Sequence, residues 1–467
     1  MISRLAIFGA TGDLTARYLL PGLAALQAAG HLGAGFQLAA AGREGWDGAE
    51  FRTWAAAQLD RHAGHLPGPV RQAIVTAAHY RQADVTDPAS VAAVIAGAEP
   101  GAERAALPVA AYLALPPAVF PAAVSALRDA GLPDGSRIVL EKPFGEDLQS
   151  AVELNRLLAE TVAEQAVFRV DHFLAMTTVQ NVLGTRLANQ VLEPIWNAAH
   201  IAEVDITWDE SLALEGRAGY YDGTGALKDM LQNHLLQLLC LVAMEPPLSL
   251  GERDLRDRKM DVLRSVRPLA DADMAARTRR ARYTAGQVDG RQVPAYADEE
   301  GVDPARRTET FAEVELQLDN WRWPGTVFRL RTGKALGRDR KEVAVRFRHV
   351  PHLPFGPARH ERPNVLRFGL EPETLALDLS GIGARAGILA PLTLAASLEP
   401  PELPAYGRLL LDVLNGDAAL SIRGDEAEQS WRVLDPVLSA WSKDLVPLGE
   451  YPAGSDGPSP STGPVPE

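Results

Sequence analysis

A glycine turn near the amino terminus is the first feature of the chain that could do chemistry. Gly9-Ala10-Thr11-Gly12-Asp13-Leu14 follows the apolar run 4–8 and leads into a helical pattern over 14–29. A strand that turns on glycine into a helix start presents backbone N–H groups, and the positive helix end, to a pyrophosphate. The spacing is G-x-x-G, shorter than G-x-G-x-x-G, and its place on the first strand carries the reading. A second strand pattern, 37–41, is followed by Gly42-Arg43. An acidic residue at that point holds a ribose 2′-hydroxyl, whereas an arginine suits a 2′-phosphate. Arg43 therefore points to NADP.

Such a turn needs a sheet to hold it. Apolar runs at 4–8, 37–41, 110–115, 137–140 and 167–170 alternate with amphipathic stretches such as 14–29, 49–61 and 120–129. Alternating strand and helix implies a parallel sheet covered on both faces, an α/β Rossmann-type coenzyme domain over residues 1–175. From 201 to 208, and again from 310 to 320, the alternation has period two, as in half-buried antiparallel strands. Further strand-like runs at 326–331, 342–347, 364–370 and 375–379 extend the pattern. A larger β+α domain, with a big, mostly antiparallel sheet and helices on one face, is expected over 176–450. The tail 451–467 is rich in Pro, Gly and Ser and is expected to be disordered. No internal repeat is visible.

Composition narrows the function classes. With 467 residues the chain is too long for one ordinary core. A formal charge of −14 argues against broad nucleic-acid binding, which needs a basic face. The single cysteine, Cys240, excludes an internal disulfide, and its apolar surroundings mark it as a small buried hydrophobe. No apolar stretch reaches the roughly 18 to 20 residues of a membrane span. A cytoplasmic enzyme is expected.

Further segments recur in order along the chain. They are Tyr-Leu-Ala-Leu-Pro-Pro at 112–117, Glu-Lys-Pro-Phe-Gly at 141–145, Arg-Val-Asp-His-Phe-Leu at 169–174 and the run 215–222. Then come Asp-Met-Leu-Gln-Asn-His-Leu-Leu-Gln at 229–237, Asp-Asn-Trp-Arg-Trp at 319–323, Arg-Thr-Gly-Lys at 331–334 and a terminal Gly-Ser-x-Gly-Pro. In order and spacing, from about residue 4 to 458, the set resembles the glucose-6-phosphate dehydrogenase family. The Glu-Lys-Pro element also occurs in sugar oxidoreductases typified by glucose–fructose oxidoreductase. The long 229–237 run and the Trp-Arg-Trp strand favour the first family.

The resemblance implies oxidation of a hexopyranose at C1, hydride passing to NADP. Such a reaction needs a base that is neutral near pH 7 and held in one tautomer, as a carboxylate-backed histidine is. By resemblance His234 is that base and Asp171 orients it. Lys142, at the carboxyl edge of the fourth strand pattern, reaches sugar and nicotinamide, and Lys142–Pro143 is a candidate cis bond. Pro116 joins Gly9, Ala10, Thr11, Gly12, Asp13, Leu14, Arg43 and Lys142 in the coenzyme set. His172, Glu215, Asp229 and Lys334 match sugar-binding positions, where acids and a lysine suit a polyol. A homodimer is implied, and no metal.

The phosphate clamp departs from the family pattern. The family reads Asp-His-Tyr-Leu-Gly-Lys where this chain has Asp171-His172-Phe173-Leu174-Ala175-Met176. Losing a phenol and an ammonium donor corresponds to roughly 3–4 kcal/mol, a factor of several hundred in affinity for a phosphate dianion. In the Asn-x-Leu-x-x-Arg-x-Gln-Pro pattern, Gly369 replaces the arginine and Glu371 the glutamine. A carboxylate there would repel a phosphate, or accept hydrogen bonds from a free sugar or an amino sugar. Tyr18 stands for the lysine that closes Gly-Asp-Leu-x-x-x-Lys, and Asp339 for an arginine, between Arg338 and Arg340. Three readings follow: a glucose-6-phosphate 1-dehydrogenase, a C1 dehydrogenase of a non-phosphorylated or amino hexose, and a non-catalytic NADP-binding regulatory paralogue.

Overall fold

Five short apolar runs and one polar one form a six-stranded parallel sheet in the computed structural model, which describes residues 1–97, 107–214, 216–354, 362–383 and 388–459. The strands are β1 (Arg4–Phe8), β2 (Gln37–Gly42), β3 (Ala78–Gln82), β4 (Ala110–Leu113), β5 (Arg137–Glu141) and β6 (Val167–Val170). Their order is β3-β2-β1-β4-β5-β6, so the winding reverses between β1 and β4. Open α/β sheets hold ligands outside the strand ends at such a reversal. β1, β4 and β6 are buried throughout, as expected when helices cover both faces.

The chain divides into two compact units. The first comprises Met1–Met176 with two later segments, Leu248–Arg256 and Pro401–Glu428. The sequence reading carried the second domain unbroken from 176 to 450 and did not anticipate this return. The helix Ala405–Asn415 packs on the helix Leu20–Ala28, where a Cβ on Gly22 would lie 3.1 Å from the Gly407 amide nitrogen. Glycine at both positions lets the two backbones approach. Arg137 donates to the carbonyls of Val413 and Leu414, and the amide of Ile2 donates to Leu414 O at 2.7 Å. Arg256 donates to Ser421 O at 3.0 Å, binding the two late segments together.

The second unit comprises Thr177–Pro247, Asp257–Pro400 and Gln429–Glu467. Its strands are β7 (Ile201–Asp209), β8 (Thr278–Thr284), β9 (Gly286–Val288), β10 (Arg291–Val293), β11 (Phe311–Leu316), β12 (Val327–Gly333), β13 (Arg340–Phe347), β14 (Val365–Leu370), β15 (Glu373–Ile382), β16 (Leu389–Ser397) and β17 (Leu448–Pro452). β9 and β10 form a small hairpin; the others make one sheet in the order β16-β15-β14-β13-β7-β12-β11-β8-β17. Only β7 with β12, and β8 with β17, run parallel. Along β12 the residues alternate: Phe328 and Leu330 are buried, while Arg329 donates to Glu315 on β11 and Asp205 on β7. Opposite charges side by side across strands stabilise that face.

Leu227–Leu235 runs into Leu236–Ala243 as a buried helical stretch whose first part has the wider i→i+5 winding. Its second part, Leu236–Ala243, is apolar nearly all round, as a core helix must be, and includes the buried Cys240. Helix ends leave carbonyls without helical partners. Here the indole N–H of Trp196 donates to Val242 O at 2.8 Å and that of Trp323 to Ala243 O at 2.7 Å. The expected disordered tail is corrected in part. Tyr451 is buried in β17 and donates to Lys334 O at 2.7 Å, and backbone bonds continue to Ser455. Residues 460–467 lie outside the described residues.

Candidate active site

Gly9 leaves β1 with φ +88°, and a Cβ there would fall 2.1 Å from Ala114 O on the next segment of the sheet. Only glycine meets both conditions. The turn is closed by its own amides: Gly9 and Ala10 donate to Ala41 O, and Gly12 donates to Gly9 O. A pyrophosphate would therefore be taken by the amides of Thr11, Asp13 and Leu14, at the helix start. Above the turn lies a cleft of about 800 Å³ lined by Gly9, Thr11, Gly12, Arg43 and Pro116, among others. Ala10 is buried beneath it. Gly42 lies at the floor, where an added Cβ would displace the side-chain ends of Glu44, Tyr80 and Thr11. A glycine-floored cleft with an arginine at its rim fits a phosphorylated dinucleotide.

At the end of β5 the first unit holds a carboxyl among tyrosines. Tyr112 donates to Glu141 at 2.5 Å, and Tyr406, on the returning helix, also hydrogen-bonds it. Burial pushes the Glu141 carboxyl up to about 7, against the opposing pull of the two phenols and the adjacent Lys142. Lys142 follows directly, half-buried, and Lys142–Pro143 is cis as anticipated. Asp171, next to the end of β6, is buried, and one of its oxygens accepts the amide of Phe173 at 2.9 Å. The His172 ring stacks on Tyr406 (5.7 Å between centroids, 18° between planes), and Tyr18 lies on Tyr406 at 5.1 Å. Phe173 is buried at the edge of the His172 ring.

In the second unit His234 is buried within Leu227–Leu235, and Asp229 lies one turn earlier. Glu309 accepts the amide of Leu227 at 3.0 Å, and burial pushes its carboxyl up to about 7. Asp229, Glu309 and Glu210 all raise the buried Tyr221 phenol, after burial itself. Lys334 is ion-paired with Glu210. Glu215 lies outside the described residues.

Two family models match end to end: "Glucose-6-phosphate dehydrogenase, NAD binding domain" over residues 6–181 and "Glucose-6-phosphate dehydrogenase, C-terminal domain" over 183–464. The chain belongs to the glucose-6-phosphate dehydrogenase family. It is 40% identical to glucose-6-phosphate 1-dehydrogenase of Treponema pallidum, covering 97% of this chain and 92% of that protein. For the Mycolicibacterium smegmatis protein of the same name the figures are 41%, 97% and 93%. A crystal structure of the Mycobacterium avium enzyme superposes with a TM-score of 0.84 at 32% identity, covering 98% of this chain and 96% of that one. A glucose-6-phosphate dehydrogenase in complex with glucose 6-phosphate gives 0.85 at 29%, covering 98% and 95%.

Within this glucose-6-phosphate dehydrogenase fold the departures take definite places. Tyr18 and His172 meet through Tyr406, a residue the sequence reading missed because it lies far along the chain and carries no motif. Phe173 is an interior packing residue, and Met176 is half-buried. Glu371 is exposed and forms an ion pair with Lys341, which offsets the charge of its carboxylate. Asp339 accepts the amide of Ser211 at 2.6 Å, which helps hold its carboxyl below the usual range. Arg340 is turned toward Asp209 at 3.3 Å, while Arg338 is exposed.

Proposed function

We propose that this chain oxidises glucose 6-phosphate at C1 to the lactone, the hydride from C1 passing to NADP+. The observation that carries the reading is identity near 40% over nearly the whole length to enzymes named for this reaction. The rim position of Arg43 in a glycine-floored cleft supports NADP. NADP+, when bound, supplies the hydride acceptor. His234 takes the O1 proton, and Asp171 holds the imidazole in the accepting tautomer. Lys142 carries a positive charge to the sugar oxygen and the nicotinamide edge. Lys334, Asp229, Glu215 and His172 bind the sugar and its phosphate. The test is kcat/KM with NADP+ for glucose 6-phosphate, glucose and glucosamine. A preference of at least a hundredfold for the phosphorylated sugar is expected; a preference for either free sugar would reject it.

The replacement of two phosphate donors by Phe173 and Met176 favours a second reading, a C1 dehydrogenase of a non-phosphorylated hexose, which the same panel decides. We also place a second copy of the chain against the outer strands of the large sheet. Leu392 and Leu394, two apart on β16 and so on one face, are 47% and 56% exposed. An outer strand with exposed apolar side chains invites pairing with a second chain. Sedimentation should give twice the chain mass, and Leu394→Glu should lower it. Among the described residues no helix is long and apolar enough to cross a membrane. A cytoplasmic location completes the proposal.

A further inference from the structure

Arg43 is not alone at the end of β2. Glu44 follows it, lines the same cleft and is half-buried. Its carboxylate accepts the hydroxyl of Thr11, in the glycine turn, at 2.6 Å. The backbone beneath is pinned as well: the Tyr80 hydroxyl donates to Glu44 O at 2.8 Å and the Gln82 amide to Arg43 O at 2.9 Å. A Cβ on Gly42 would approach the Glu44 carboxylate to 2.7 Å, the Tyr80 hydroxyl to 2.9 Å and the Thr11 hydroxyl to 3.1 Å. The acid, the arginine and the glycine turn thus converge where the adenosine ribose of a dinucleotide must lie.

Two chemistries are offered at one point. A guanidinium takes a 2′-phosphate, and a carboxylate at the end of the second strand accepts ribose hydroxyls. Each group opposes the other's ligand, because a 2′-phosphate dianion beside a carboxylate is repelled. Building on the dehydrogenase reading above, we propose that Glu44 is a specificity-determining residue that admits NAD+ as a second coenzyme by accepting its adenosine ribose hydroxyls. The Thr11 hydroxyl aims the carboxylate, and it also keeps the Glu44 carboxyl below its ordinary range, so the acceptor is ionised at neutral pH. Arg43 retains the 2′-phosphate of NADP+, so the chain works with either coenzyme and the adjacent pair sets the ratio.

The experiment is a calorimetric titration of the full chain with NAD+ and with NADP+, without sugar, for the natural protein, Glu44→Gln and Arg43→Ala. The natural protein should bind both. Glu44→Gln should weaken NAD+ and tighten NADP+, moving the ratio of the two Kd values by about tenfold or more. Arg43→Ala should move the ratio the other way. Equal or absent effects of Glu44→Gln on the two coenzymes would overturn the proposal, as would failure of the natural protein to bind NAD+ alone. Failure to bind either coenzyme would reject the dehydrogenase reading itself. The expected titrations without turnover of any sugar would reject that reading and leave Glu44's role standing.

Discussion

At the cleft above the glycine turn the lining groups come from two short stretches of sequence, Gly9 to Gly12 and Gly42 to Glu44, and backbone hydrogen bonds do much of the holding. Around His234, in the second unit, the support comes from scattered side chains. Glu309 caps the start of its helical stretch, and Trp196 and Trp323 close the end. The cleft is therefore sensitive to added side-chain volume at Gly9, whereas the helix depends on individual polar partners. One region is fixed by shape, the other by hydrogen bonds to a buried segment.

Four substitutions would break or sharpen that contrast. His234→Asn should lower kcat by roughly a thousandfold, the size of a lost general base, while the Kd for NADP+ stays within about twofold. An equal loss of coenzyme affinity would erase the separation between the regions. Gly9→Ala meets Ala114 O as well as an unfavourable φ, and should cost about 3 kcal/mol or more, read as a lower Tm and weakened NADP+ binding. Glu141→Gln should lower kcat/KM about tenfold and alter the pH profile. The Glu141 carboxyl titrates near 7 and, once ionised, faces Lys142 from among Tyr112, Tyr406 and Asp171. The natural protein should accordingly gain activity as pH rises through 7, and the variant should lose that step.

Glu309→Gln is the mildest change, because the amide oxygen can still accept from Leu227. The folded-state value near 7 lies above the ordinary carboxyl value, so the folded protein binds this proton more tightly than the unfolded chain does. That contribution is full below the unfolded value and is lost as pH rises toward 7. The Tm of the natural protein should fall between about pH 4.5 and 7 in part for this reason, and Glu309→Gln should flatten the fall. An unchanged slope would show that Glu309 does not set it.

What the sequence made legible follows the same division. Five of the six parallel strands are short apolar runs and could be read directly; β3 escaped because Ala78-His79-Tyr80-Arg81-Gln82 sits at the sheet edge, mostly in contact with water. β8, Thr278–Thr284, escaped because Arg279, Arg280 and Arg282 break its apolar pattern, each pairing with an acid on a neighbouring element. Gly9, Thr11, Gly12 and Arg43, which line one cleft, were legible because the glycine turn and the end of β2 are local patterns; Pro116 came with the resemblance. The Lys341–Glu371 pair and the place of Tyr406 were not, since each depends on segments brought together only by folding. The tail misled for a related reason: its Pro, Gly and Ser composition suits disorder, yet Tyr451 finds a buried partner.

The return of Pro401–Glu428 to the first unit bears on how the molecule is made. Leu409, Leu410 and Val413 complete a core begun by Leu19, Leu20 and Leu23. Translation must pass residue 413 before that core can close. During synthesis the nascent amino-terminal sheet waits with an oily groove exposed, and this is the stretch a chaperone would be expected to shelter.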